Sequence, residues 1–192
     1  INKINTKTHK AEVIPFEVES SHKIVKAARF KQDVAPDKFK VKAVRHLTTS
    51  PDGDRVVWNA AGYLWTKELP NRTPERLTNG ADFEFEPAFS PDGQTLAYVS
   101  WSDKDMGAIN VIELNGQGNT GSPQKITTEK GIYREPSFSP DGDTIVFRKE
   151  SGNGQQGFVH TLNPGISTIP ATGGEAIMIT DEGAFPKFSA DG

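Results

Sequence analysis

Hydrophobic residues in this chain fall in short runs that end in an aromatic residue and are bounded by Gly, Pro, Asp or Ser. Three such runs are Val56-Val57-Trp58, Leu96-Ala97-Tyr98 and Ile145-Val146-Phe147. Short β-branched and aromatic segments with these borders are typical of β-strands. No stretch combines helical periodicity with capping signals, so the pattern predicts an all-β chain.

A tight turn precedes each run. The tetrapeptide Ser-Pro-Asp-Gly occurs three times and is followed by a degenerate copy at residues 189–192, and the copies begin 40, 49 and 50 residues apart. Proline fixes φ at the first central position, Asp suits the second, and Gly adopts the left-handed conformation that lets a strand resume. We expect structural turn roles, with each Asp side chain bonding nearby amides, for Pro51, Asp52, Gly53, Pro91, Asp92, Gly93, Pro140, Asp141 and Gly142.

Each repeat holds three further strand candidates. The first strand leads into the turn, as at Glu86-Pro87-Ala88-Phe89 and Glu135-Pro136-Ser137-Phe138. The third strands are Tyr63 to Leu69, Ile109 to Leu114 and Ile166 to Ile169. The fourth strands share an ending: Arg76-Leu77-Thr78, Lys125-Ile126-Thr127 and Met178-Ile179-Thr180. Four short strands per repeat of this length predict the blade of a β-propeller, in preference to a helical solenoid.

The repeats divide the chain into a partial propeller of about three full blades with a half-blade at each end. The predicted boundaries are 1–19 for the last strands of a truncated blade, 20–43 for an inter-blade connection, 44–79 and 80–128 for two blades, 129–180 for a blade with an inserted loop at 148–165, and 181–192 for the start of the next blade. Closed propellers have about four to eight blades, so the sequence predicts a fragment of a larger parent. Open sheet edges would pair with the parent's other blades or domains, or with another copy.

Composition narrows the partners. The net charge of −3 offers no basic surface for phosphates, so nucleic acid is disfavoured. The chain has no cysteine, which excludes disulfides and thiol chemistry. No transmembrane run or secretory leader is recognisable.

Channel-lining residues are the main candidates for chemistry. His46, Glu86 and Glu135 each stand four residues before a turn serine, and Phe185 takes the fourth place. If the first strand of each blade lines the central channel, the three polar side chains project together and could hold a metal or act as an acid/base pair. The alternative, which we favour, is that they line a hydrated channel or pair with Arg45 and Arg134. We therefore assign no catalytic, cofactor-binding or metal residue.

Other motifs are weaker. Asp103-Lys104-Asp105 lacks the remaining ligands of a calcium loop and is predicted to be a solvated turn. No His-Glu-x-x-His, Gly-x-Ser-x-Gly or phosphate-binding loop occurs. Trp58, Tyr98 and Phe147 occupy matching positions and are predicted to lie in cores between blades.

The repeated turn and the Leu-Thr blade ending resemble the TolB-like, WD-repeat-like β-propellers over nearly everything from Val44 to Gly192. Residues 41–53, with Asn163-Pro164-Gly165-Ile166, look most like the propeller that precedes a metal-dependent amidohydrolase domain in large bacterial enzymes. This resemblance implies a non-catalytic recognition or access-gating module attached to a hydrolase. The alternative is a stand-alone periplasmic TolB-like protein-interaction propeller.

The same resemblance sets the remaining expectations. The fragment itself is predicted to be inactive and to need no cofactor, while the parent is an amidohydrolase with a divalent metal such as zinc if the closer likeness holds. A periplasmic or secreted location follows from family resemblance. The residues leave open whether the parent is an enzyme.

Overall fold

The computed structural model describes residues 1–24, 33–114, 121–152 and 162–192. The chain divides into two units, Ile1–Phe39 and Lys40–Gly192. Within the described ranges all regular structure is β, which confirms the predicted fold class. No helix there has the length and apolar character needed to cross a membrane.

The first unit contains one hairpin. Strand β1 (Asn2–Ile4) pairs antiparallel with β2 (Ala11–Val13). Lys3 and Glu12 form an exposed ion pair across it at 2.8 Å. Part of the predicted connection at 20–43, residues 25–32, lies outside the described residues.

The second unit contains three four-stranded antiparallel sheets, each laid down in chain order. The first sheet comprises β3 (Arg45–Thr49), β4 (Arg55–Ala60), β5 (Tyr63–Glu68) and β6 (Glu75–Arg76). The second comprises β7 (Phe83–Phe89), β8 (Thr95–Ser102), β9 (Met106–Glu113) and β10 (Gln124–Lys125). The third comprises β11 (Ile132–Phe138), β12 (Thr144–Glu150), β13 (Gly165–Pro170) and β14 (Ile177–Thr180).

The first strands of successive sheets lie side by side, with β3 against β7 and β7 against β11. This is the arrangement of neighbouring propeller blades, in which first strands lie innermost. Residues 181–192 contain no strand, although the Phe185 amide reaches the third sheet.

Alternation along the strands builds two apolar cores. On β8, Leu96 and Tyr98 pack in a cluster with Val57 and Leu64 of the first sheet. The intervening Ala97 and Val99 pack in a second cluster with residues of the third sheet, including Ile145, Phe147 and Ile169. Because successive side chains of a strand point to opposite faces, one strand supplies both cores.

One core prediction is wrong in part. Tyr98 and Phe147 are buried between sheets as expected, but Trp58 is half-buried. The neighbouring Val57 occupies the face toward the second sheet, so Trp58 points to the opposite face.

Two strand ends also differ from the prediction. The insertion expected from residue 148 starts later, because Arg148 and Lys149 pair with Ile166 and Gly165 inside the sheet. Residues 153–161 of that insertion lie outside the described ranges. The fourth strand β6 ends before Thr78, whose hydroxyl donates to the Glu84 carboxylate instead of continuing along the strand.

The turns repeat the same hydrogen bonds in three sheets. In the first, the Gly53 amide donates to the Ser50 carbonyl at 3.0 Å, and the Asp54 amide donates to Asp52 Oδ1 at 3.1 Å. The equivalent Asp92 and Asp141 accept from residues 94 and 143. A hydrogen bond from the turn serine hydroxyl, followed by the backbone bond, lowers the pKa of all three aspartates.

Neighbouring turns also touch each other. Gly93 has a φ of +71°, and a Cβ there would lie 3.2 Å from Cδ of Pro51 in the preceding turn. Gly53 has a φ of +79° with open space around it. The two glycines therefore separate the cost of left-handed backbone from the cost of the contact between turns.

We predict that Gly93→Val lowers the free energy of unfolding by roughly 1–2 kcal/mol from backbone strain alone, and by more once the valine meets Pro51. Gly53→Val is the matched control, because it carries the strain without the contact. Urea unfolding of both variants measures the difference. A Gly93→Val variant as stable as the wild type would contradict the turn assignment.

Candidate recognition groove

The three candidate channel residues share an unusual backbone conformation. His46, Glu86 and Glu135 have φ values of 52°, 49° and 59°, and Phe185 at the fourth equivalent position has 54°. Non-glycine residues rarely adopt positive φ, which costs about 1–3 kcal/mol at each site. Four equivalent positions therefore share a strained conformation that the surrounding structure must hold in place.

A β-bulge explains the conformation. The register between β7 and β8 shifts between Phe85 and Ala88, so Glu86 and Pro87 have no partner in the ladder. The same shift occurs between Arg134 and Ser137 in the third sheet. A bulge of this kind leaves an amide of its strand unpaired, and Glu135 N–H is such a group.

Carboxylates of the preceding blade bind these unpaired amides. Glu86 accepts a hydrogen bond from Glu135 N–H at 2.6 Å. Glu135 in turn accepts one from Phe185 N–H, also at 2.6 Å. Each bulge glutamate thus binds the amide at the equivalent position 49 or 50 residues later. We name this series of contacts the bulge ladder.

Arginines complete the carboxylate partners. Arg134 Nε donates to Glu86 at 2.7 Å. Arg148 binds Glu135 through two nitrogens at 2.9 and 3.0 Å. Glu150 bridges the two arginines at 3.1 and 2.9 Å, so one alternating chain of charges joins Glu86 to Glu135.

The pKa of Glu135 reflects this setting. Burial opposes its ionisation, but the hydrogen bonds from Arg148 and Phe185 N–H and the nearby positive charges outweigh burial and lower its pKa. The hydrogen bond to Glu135 raises the pKa of Arg148 in return. The pair is therefore ionised at neutral pH.

His46 occupies the same place in the first sheet but cannot repeat the contact of a carboxylate. Its Nε2 lies 4.0 Å from Glu86 Oε1, and its side chain is about a third exposed. Arg134 pairs with Glu86, as the favoured alternative proposed, whereas no ion pair of Arg45 occurs in the described part of the chain.

The structure brings the three candidates to one open groove. His46, Glu86 and Glu135 border a cavity of about 640 Å³ that runs along β3, β7 and β11. Its walls include the turn residues Pro51 and Pro91. Within the described ranges, no three His, Cys, Asp or Glu side chains are placed to hold a metal ion.

The sequence did not predict the bulges or the alternating charges that join Glu86 to Glu135. Glutamate does not favour positive φ, so Glu86 and Glu135 carry no local signal for a bulge. The available signal was the fixed distance of four residues to the turn serine in every repeat.

The family comparison agrees with this architecture. The family model described as the TolB beta propeller domain matches residues 38–192. The chain belongs to this TolB propeller family. No curated protein sequence matches the chain.

Solved structures show how widely this TolB-like fold is shared. TolB from Acinetobacter baumannii matches with 22% identity and a TM-score of 0.54, over 78% of this chain and 36% of that one. Tricorn protease matches with 15% identity and a TM-score of 0.55, over 73% and 13%. An oligogalacturonate lyase in complex with manganese matches with 13% identity and a TM-score of 0.55, over 70% and 39%.

These likenesses establish the fold of the TolB-like chain and no activity. The chain spans about a third of the length of the Acinetobacter TolB structure. The predicted TolB-like propeller is thus confirmed, while the link to an amidohydrolase stays a prediction.

We predict that Glu135→Gln lowers the free energy of unfolding by about 2 kcal/mol at pH 7, because a buried carboxylate loses charge-assisted bonds. The folded-state pKa of Glu135 is depressed, so its stabilisation is present above the ordinary value of 4.5 and is lost as pH falls through the folded value. The difference in free energy of unfolding between variant and wild type should therefore shrink below pH 4.5. Denaturant unfolding at a series of pH values measures it.

Glu113→Gln is the control for this experiment, since Glu113 lies on β9 and is exposed. Its stability should follow the wild type at every pH. A gap for Glu135→Gln that stays constant down to acid pH would show that the carboxylate charge does not matter.

Proposed function

We propose that this chain is a non-catalytic recognition module that binds an extended protein segment in the groove along β3, β7 and β11. The proposal rests on the hydrogen bonds that the two channel carboxylates already make. Glu86 and Glu135 each bind a backbone amide and an arginine. Neither carboxylate is therefore free to act as a base, a nucleophile or a metal ligand.

The groove has features that suit binding. Its volume of about 640 Å³ falls in the range of small-ligand and peptide side-chain sites. Leu47 borders it and is 61% exposed, and the half-buried Phe89 and Phe138 add apolar surface. Because the bulge ladder fixes the floor, a partner would meet a preorganised surface.

Two whole-protein arrangements accommodate such a module. In the first, the module precedes an amidohydrolase-type domain that holds a divalent metal such as zinc, and it recognises substrate or gates access to that domain. The sequence of residues 41–53 favours this arrangement. In the second, it belongs to a stand-alone TolB-like interaction protein. Both place the protein in the periplasm or outside the cell. A His-x-His motif in a (β/α)-barrel encoded downstream would decide for the first.

We predict that peptides selected for binding to this chain from a random display library lose affinity at least about tenfold with Leu47→Asp, because a charge enters an apolar contact. Ile179→Asp is the matched control, since Ile179 is 63% exposed on β14 and does not border the groove. Fluorescence anisotropy with labelled peptides measures both. Equal losses, or losses only with Ile179→Asp, would place binding elsewhere.

The same preparations test the non-catalytic assignment. With zinc or manganese added, the chain should not turn over amide or ester substrates. Turnover that disappears in His46→Ala would make the groove an active site and overturn the proposal.

A further inference from the structure

A second cavity lies away from the groove, on the face of the third sheet that turns toward the second. It has a volume of about 420 Å³. Tyr133, Phe147 and Ile169 form its apolar side, and they belong to the core between the two sheets. The volume is in the range of small-molecule sites.

The cavity contains a buried ammonium group. The Lys149 side chain is only 5% exposed, and its Nζ pairs with Glu129 Oε2 at 2.5 Å. A lysine has three N–H donors, and Glu129 is the only acceptor that the described residues offer to Nζ. Among the described residues, two N–H donors of this ammonium group therefore have no protein acceptor.

A buried hydroxyl accompanies the lysine. Ser167 is 7% exposed, borders the same cavity, and makes no side-chain hydrogen bond within the described ranges. Lys149 and Ser167 together place an ammonium group and a hydroxyl group at one cavity.

The other sheets show that the propeller does not require this arrangement. Ten residues after the turn serine, where the third sheet has Lys149, the second has Ser100 and the first has Ala60. In the second sheet, Asn110 Nδ2 donates to Ser100 Oγ at 2.8 Å, so the polar pair satisfies itself. In the first, Trp65 Nε1 donates to the Ala60 carbonyl at 3.0 Å. Of these three residues, Lys149 borders the cavity, and Ser100 and Ala60 do not.

Charge at the rim limits the class of ligand. Two carboxylates, Glu129 and Glu175, border the cavity from exposed positions. A simple anion would meet more negative than positive charge there. A molecule with an acceptor end inside and a cationic end at the rim matches the observed order of charges.

We propose that this cavity binds a small zwitterion of the α-amino acid class with an apolar side chain. Its carboxylate lies between Lys149 and Ser167, and its ammonium group faces Glu129. The contact of 2.5 Å between Lys149 and Glu129 places opposite charges side by side, as the two charged groups of an α-amino acid are. Phe147 and Met178, which also border the cavity, contact the side chain. This site is independent of the groove and of the function proposed for it.

Titration of the ¹⁵N-labelled chain with L-leucine tests the proposal. We expect saturable shifts in the segments 127–129 and 174–178, and at least about tenfold weaker binding of 4-methylpentanoate and 3-methylbutylamine, which each lack one charged group. No saturation by L-leucine, L-methionine or L-phenylalanine up to about 10 mM would overturn it. Preferential binding of glucose would also overturn it.

Variants locate the site. Lys149→Met should weaken L-leucine binding at least about tenfold. Lys130→Met is the matched control, since Lys130 is 63% exposed and pairs with Asp105 at 3.9 Å outside the cavity. If Lys149→Met does not fold, Ser167→Ala and the wild-type shift map decide, and shifts confined to other segments would refute the site.

Discussion

A backbone amide without a partner in its own sheet is the constraint around which the inner strands are organised. The bulge in β11 frees the amide of residue 135, and Glu86 of the preceding repeat accepts its hydrogen bond. Glu135 accepts a hydrogen bond in the same way from Phe185 N–H, at the equivalent position of the next repeat. Each glutamate makes this contact from a bulge position where φ is positive. The cost of the strained backbone is thus offset by a contact that joins two blades.

The same contacts engage the charged side chains that border the groove. Arg134 and Arg148 neutralise the two carboxylates, and Glu150 ties the arginines together. A second polar contact supports the junction of the first two sheets, where buried Glu84 accepts from Leu64 N–H at 2.9 Å. At the next junction Tyr133 takes the place of Glu84, and Thr127 Oγ1 accepts from Ile109 N–H directly at 3.0 Å. At each junction, therefore, a different side chain accepts the hydrogen bond of a strand amide.

The fold was predictable because the turn chemistry is explicit. Pro51, Asp52 and Gly53 and their copies specify where strands begin, and alternation specifies which faces are buried. The grouping of His46, Glu86 and Glu135 also followed from the repeat. The hydrogen bonds of these glutamates did not follow from the repeat. They depend on a bulge, which is set by strand pairing and has no signal in residue type. The burial of Lys149 was equally unpredictable. In the sequence it looks like an ordinary solvated lysine, and only the strand register places it beside Tyr133.

Hydrogen exchange at two amides tests the bulge ladder most directly. In Glu86→Ala, the Glu135 amide loses its acceptor, so its exchange should accelerate at least about tenfold, while the Phe185 amide keeps its wild-type rate. In Glu135→Ala, exchange of the Phe185 amide should accelerate, and exchange of the amide of residue 135 should not. Unchanged exchange at Glu135 in Glu86→Ala would show that the glutamates do not hold neighbouring blades together.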